Sequence, residues 1–123
     1  MVASQPRVIS WHSTFQRNAG THGGGISSLG GPVHLYGGSL VGNVASVYGG
    51  GAYFQDTTVV NMTRVNVTIN KSGDGGGIDV RLSSATARTK IFIVDSVFWA
   101  NAAQNDGGGV RVTGAHIQTQ VIG

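Results

Sequence analysis

Apolar residues recur along this chain with two rhythms at once. The short rhythm is alternation. Ile26 and Ser28 flank Ser27, Ala52 and Phe54 flank Tyr53, Ile78 and Val80 flank Asp79, and Val110 and Val112 flank Arg111. A period of two belongs to a strand with one buried face. The flanking residues are therefore expected inside, and Ser27, Tyr53, Asp79 and Arg111 outside. The long rhythm repeats this unit. A large apolar residue at Phe15, Leu40, Val67 and Phe98 is followed three positions later by Asn18, Asn43, Asn70 and Asn101. Five or six residues beyond each Asn stands a glycine triplet. The triplets are Gly23, Gly24, Gly25; Gly49, Gly50, Gly51; Gly75, Gly76, Gly77; and Gly107, Gly108, Gly109, with starts spaced 26, 26 and 32 apart. Two upstream columns run in phase, Val8/Val33/Val60/Ile91 and Ser10/Leu35/Met62/Ile93. No segment carries a 3.6-residue period, so no helices are expected.

A repeat of this length built from strand segments closes into a coil, and identical positions then lie one above another, about 4.8 Å apart. The expected fold is an all-β, right-handed parallel β-helix of about four coils, each with three short strands. Residues 1–7 form a lead-in, and the single domain spans 8–123. Coils start near 8, 33, 60 and 91, with a partial fifth at Ile117. Phe15, Leu40, Val67 and Phe98 would form an interior stack. Asn18, Asn43, Asn70 and Asn101 would form an amide ladder in a corner, where each side chain can donate and accept between coils. The glycines would let the chain turn without a Cβ clash. The longer third unit carries its extra residues at Ser83–Lys90, which reads as a loop.

Composition agrees. Gly supplies 21 of 123 residues, charged residues 11%, and all five acids are Asp. Cysteine is absent, which excludes disulfides and thiolate metal sites. The net charge of +3 comes from six Arg and two Lys scattered without a run, so no nucleic-acid partner is expected. No apolar run reaches 18 residues, so no membrane-inserting helix is expected. The first residues contain no signal-peptide core.

Candidate chemistry is sparse. Asp74 and Asp106 hold the same place before their triplets as His22 and Tyr48 do in earlier coils. They are weak candidates for a cation site or an acid pair, and Asp before Gly is ordinary turn chemistry. Asp79, Arg81 and Arg111 should lie outward on one sheet, where a polysaccharide lyase could use a carboxylate and a basic residue; Asp79 beside Arg111 on the next coil reads more simply as a cross-strand ion pair. His12, His22, His34 and His116 share no metal-ligand spacing, and no cofactor is expected. Asn61-Met62-Thr63, Asn66-Val67-Thr68 and Asn70-Lys71-Ser72 match the glycosylation sequon. Asn70 should face inward as a ladder residue, whereas Asn61 and Asn66 should face out. Outward aromatics at Trp11, Tyr53 and Trp99 do not share one column.

The signatures Phe15-Gln16-Arg17-Asn18 and Phe98-Trp99-Ala100-Asn101, with glycine pairs followed by Gly and then an aliphatic residue, resemble the repeats of chlamydial polymorphic outer membrane proteins. They are similar more widely to pectate-lyase-like β-helix proteins. Leu40 and Val67 depart from the pattern by lacking the Phe, and a third Gly stands where those repeats more often have Ala. The resemblance implies a right-handed parallel β-helix and, in the chlamydial proteins, an adhesive passenger. The expected function is thus a non-enzymatic structural or adhesive module of an extracellular or cell-surface protein or filament. Its expected partners are other chains or further coils at both solenoid ends, and glycans. A carbohydrate-active fragment, either polysaccharide lyase or glycan binder, is the alternative, and a viral fibre segment a further one.

Overall fold

The structure, a computed structural model, describes residues 2–4, 7–83, 88–114 and 117–122. Strands follow one another around a coil and return to pair in parallel with themselves one turn later. The first strands are β1 (Val2–Ser4), β2 (Val8–Trp11), β3 (Thr14–Gln16) and β4 (Ala19–His22). The next turn holds β5 (Ile26–Leu29), β6 (Val33–Tyr36), β7 (Ser39–Val41) and β8 (Val44–Tyr48). Then come β9 (Ala52–Gln55), β10 (Val59–Thr63), β11 (Asn66–Thr68) and β12 (Lys71–Ser72). The last full turn is β13 (Ile78–Arg81), β14 (Thr89–Val94), β15 (Val97–Trp99) and β16 (Ala102–Ala103), followed by β17 (Val110–Thr113) and β18 (Ile117–Ile122).

Four sheets result. Sheet A is β1-β5-β9-β13-β17, sheet B is β2-β6-β10-β14-β18, sheet C is β3-β7-β11-β15, and sheet D is β4-β8-β12-β16. The chain is a parallel β-solenoid of about four turns, with no helix among the described residues. The coil holds four strands, where the sequence pattern suggested three. The missed strand lies between the ladder Asn and the glycine triplet. That segment is short and rich in Ala, Gly and Ser, so it carries no apolar alternation, and main-chain pairing alone defines it.

The expected columns are real. Val8 pairs with Val33, Val33 with Val60, and Val60 with Ile91. Phe15 lies against Leu40, Leu40 against Val67, and Val67 against Phe98. The inner residues of sheet A, Ile26, Ser28, Ala52, Phe54, Ile78 and Val80, are all buried, while Val112 at the last turn is exposed. Together with Leu35, Met62, Val65 and Ile93 these side chains fill the tube. Two placements differ from the spacing. Thr119 rather than Ile117 stacks on Ile91, a shift of two residues that keeps the same face inward. The lead-in supplies β1, which pairs with β5. His116 and Ser84–Ala87 of the long loop lie outside the described residues. The loop's start is anchored, since Ser83 donates its N–H and its hydroxyl to the Asp56 carboxylate at 2.8 and 2.5 Å.

Corners are made by left-handed residues in columns. One column is His12, Gly37, Arg64 and Asp95, with φ of 49°, 69°, 55° and 47°. A second is Arg17, Gly42, Ile69 and Ala100, each just before a ladder Asn, with φ of 54°, 63°, 56° and 54°. The leading triplet glycines form a third, at 60–72°. The middle glycines answer a different need. A Cβ on Gly50 would lie 2.2 Å from the Gly76 carbonyl oxygen, so the next coil's main chain fills the space a side chain would take.

Candidate functional site: the amide ladder and the outer wall of sheet A

The polar interior is a continuous ladder. Asn43 Oδ1 accepts from the Asn18 main-chain N–H at 3.0 Å and from Asn18 Nδ2 at 3.2 Å. Asn70 Oδ1 accepts from Asn43 N and Nδ2 at 2.9 and 3.0 Å, and Asn101 Oδ1 from Asn70 N and Nδ2 at 3.0 and 2.9 Å. From Asn43 onward each Nδ2 also donates backward to the stack residue one coil earlier. Asn43 reaches Phe15 O at 2.8 Å, Asn70 reaches Leu40 O at 2.8 Å, and Asn101 reaches Val67 O at 2.7 Å. Asn43 and Asn70 are fully buried with their amide donors and acceptors occupied. The third triplet glycines face this ladder. A Cβ at Gly51 would meet the Asn70 amide at 3.2 Å.

The second cluster lies outside the tube, on sheet A and the corner before it. Its side chains come from three outward columns, His22/Tyr48/Asp74/Asp106, Ser27/Tyr53/Asp79/Arg111 and Leu29/Gln55/Arg81/Thr113. Asp79 points outward, as its parity requires, yet it has no solvent exposure. Arg81 and Arg111 close over it, with Arg81 Nε on Oδ1 and Arg111 Nη1 on Oδ2, both at 3.3 Å. The same two guanidiniums lie 3.7 and 3.8 Å from Asp74 Oδ2. Arg81 also stacks on Tyr48, its guanidinium carbon 3.4 Å from the ring centre. Tyr48 in turn stacks on Tyr53 at 5.7 Å, and His22 packs against both rings at 5.2 and 5.1 Å. Tyr53 is buried and donates its hydroxyl to Gln55 Oε1 at 2.9 Å.

Electrostatics follow from this packing. Burial pushes the Asp79 carboxyl above the usual carboxylate value, and the attraction of Arg81 and Arg111 works against that shift without cancelling it. Burial likewise holds the Tyr53 phenol above its ordinary value, opposed by Arg81. The wall sets the Asp74 and Asp79 carboxylates against two guanidiniums and stacks Tyr48 between Tyr53 and Arg81, while His22 and Asp106 in the flanking column stay exposed.

The structure places the sequence-derived candidates as follows. The four ladder asparagines, the four stack residues and the glycine triplets come together as columns. Asp74 and Asp106 are neighbours, but through main chain: Asp106 N–H donates to Asp74 Oδ1 at 3.2 Å. The Asp74 carboxylate faces two arginines, an arrangement that neutralises it rather than offering it to a cation. The Asp79–Arg111 pair is present, with Asp79 buried and Arg111 partly exposed, a correction to the expectation that Asp79 and Tyr53 are exposed; Arg81 and Arg111 cover Asp79, and Tyr48 and His22 pack on Tyr53. Trp11, Tyr53 and Trp99 stand on three different sheets, B, A and C. Trp11 stacks on Tyr36 at 4.5 Å. Asn66 is exposed, whereas Asn61 is half-buried.

Sequence reasoning set Arg81 outward with Asp79 and Arg111 but missed that it closes over Asp79 and stacks on Tyr48. Tyr48 was visible only as an occupant of the pre-triplet column, and no repeat marks Arg81, because each coil places a different residue there. A shallow groove of about 450 Å³ crosses sheet D, lined by Val44, Ser46, Lys71, Ala102 and Gln104 among others, with Lys71 its single ionisable residue. In comparisons with known proteins, no family model, no curated protein and no solved structure matches this chain.

Proposed function

We propose that the chain is a structural and adhesive solenoid module of an extracellular or cell-surface protein, acting through a rigid body that presents repeated outer faces. One observation carries this reading. Most of the clustered polar chemistry described above holds coils together, with the amides inside bonded between turns and the Asp74 and Asp79 carboxylates outside paired with arginines from the same or the next turn. The likeness of the Phe15–Asn18 and Phe98–Asn101 signatures to adhesive passenger repeats supports it. In this reading further coils or other chains pair with the open edges of the terminal strands.

A second reading is favoured by one observation. Arg81 and Arg111, partly exposed on the outer face of sheet A and held by buried Asp79, form a basic grouping that a polysaccharide lyase could use to bind an acidic sugar and abstract its proton. The two readings separate in one experiment. The purified chain is incubated with acidic polysaccharides, with and without Ca²⁺, and absorbance of the unsaturated product is followed. The structural reading expects no product, and it expects Arg111→Met to alter unfolding alone. Product formed by the native chain and lost in Arg111→Met would establish the lyase instead.

A further inference from the structure

We infer that Asn66 is an N-glycan attachment site, and that the first sugar covers the exposed apolar pair Val97 and Trp99. Three sequons fall within twelve residues, Asn61 to Ser72, and the fold gives them different fates. Asn70 is fully buried, and its Nδ2 donates to Leu40 O and Asn101 Oδ1. A sugar on that nitrogen would replace one of these N–H donors inside a closed corner, so a modified Asn70 has no place in the ladder. Asn61 is half-buried on sheet B between His34 and Phe92, and its Oδ1 accepts the Thr63 hydroxyl at 3.1 Å.

Asn66 differs in each respect. It opens β11 on the outer face of sheet C, is exposed, and shares that face with Thr68, the hydroxyl residue of its sequon, because two residues separate them along the strand. Val67 between them fills the core at 0% exposure, so the strand fixes both outward side chains. The adjoining coil presents apolar surface there. Val97 pairs with Asn66 and Trp99 with Thr68, and these two remain 53% and 66% exposed. The nonpolar face of a pyranose linked to Asn66 would lie on them, as sugar rings lie on Trp. On the other side stands Ser39, which leaves room.

The step itself needs a lipid-linked oligosaccharyl diphosphate as donor and an oligosaccharyltransferase. The Asn66 amide nitrogen forms a bond to the anomeric carbon, the bond from that carbon to the diphosphate oxygen breaks, the lipid diphosphate leaves with the electron pair, and the amide proton passes to a base of the transferase. The inference concerns modification and stands apart from the adhesive reading, so either can fail alone.

The test is expression of the full chain behind a secretory leader in a yeast that N-glycosylates. Ser72→Ala, which removes the Asn70 sequon, and Thr68→Ala run in parallel. Occupancy is mapped by peptide-N-glycosidase F in heavy-oxygen water, on retained as well as secreted chain, so that a secretion block hides nothing. The expected result is label at Asn66 in the native chain and in Ser72→Ala, its loss in Thr68→Ala, and no label at Asn70 in folded secreted protein. In Trp11→Phe chains, acrylamide should quench Trp99 fluorescence more steeply after the glycan is removed. An unlabelled Asn66, or label at Asn70 in folded protein, overturns the site; unchanged quenching overturns the covering of Val97 and Trp99.

Discussion

The inside and the outside of this solenoid join its coils by opposite means. Inside, one residue type does the work at every level. Asn18, Asn43, Asn70 and Asn101 are neutral, and each bond in the ladder repeats the one below it. Outside, on sheet A, the residue type changes from coil to coil, Asp74 and Asp106 apart. His22, Tyr48 and Tyr53, then Asp74, Asp79 and Arg81, then Arg111 interlock across turns through stacking and charge. A uniform ladder sets the spacing of coils but cannot tell one coil from another, since a chain slipped by one turn would still bond Asn to Asn. A heterogeneous wall can. Arg81 meets Tyr48 only when the third coil lies on the second, and Arg111 meets Asp79 only when the fourth lies on the third, so the wall supplies the order that the ladder lacks.

The largest expected effect comes from breaking the ladder in its middle. Asn70→Leu strands the Asn43 N–H and Nδ2 and the Leu40 carbonyl in a dry corner, and takes from Asn101 Oδ1 the Nδ2 donor it accepts from. At a cost of about 1–3 kcal/mol for each buried unsatisfied group, the loss should exceed about 3 kcal/mol. Urea unfolding measures it, and the same change at exposed Asn18 should cost less than about 1 kcal/mol because water replaces the lost partner.

The wall comes second. Arg81→Met removes the cation over Tyr48 and one of the two guanidiniums on buried Asp79. Breaking a buried pair costs about 3–5 kcal/mol, and because Arg111 remains and Arg81 is partly in water, about 2 kcal/mol is expected in the same urea titration. If the wall sets coil order, this variant should also unfold less cooperatively, with a lower urea m-value, while Asn18→Leu keeps the native slope.

Charge on Asp79 sharpens the contrast further, because the ladder has no titrating group. The folded state holds the Asp79 proton more tightly than the unfolded chain does. Its ionised form therefore works against folding. That penalty is fully present above the raised folded value, and it disappears as pH falls through that value toward the ordinary one of about 4. Asp79→Asn should be as stable as the native chain or more so at neutral pH. The stability gap between the two should narrow between neutral pH and pH 4, as thermal melts across that range would show.

The smallest effect concerns a corner. Ile69 holds φ of 56° where the equivalent residue one coil earlier is Gly42, and a Cβ at Gly42 would touch nothing within 4 Å. The strain is thus in the main chain alone. A left-handed conformation costs a branched residue about 1–2 kcal/mol and Gly repays part of that in chain entropy, so Ile69→Gly should gain roughly 0.5–1 kcal/mol in thermal unfolding.

What the sequence made legible divides along the same line as the molecule. Anything that recurs could be read. The ladder, the apolar stack, the glycine triplets and the inward alternation of sheet A all show as columns in the unaligned chain, because stacking forces like residues onto like heights. What does not recur stayed hidden. Sheet D has no apolar signature, since Ala19, Gly20, Ala45, Ser72 and Ala103 pair through main chain. The two corner columns mix His, Arg, Asp, Ile and Ala with Gly, so left-handed geometry there leaves no composition to find. Parity gives the direction of Asp79 but not its burial, because cover depends on how Arg81, from another column, and Arg111, one coil on, fold over it.

The stacking of residues 25 to 31 positions apart is tested most directly by side-chain amide NMR. In the folded chain the Asn43 and Asn70 side-chain amide protons should exchange slowly with water, and nuclear Overhauser contacts should link Asn43 to Asn70 and Asn70 to Leu40. Fast exchange of these amides with no contact between coils would contradict the account.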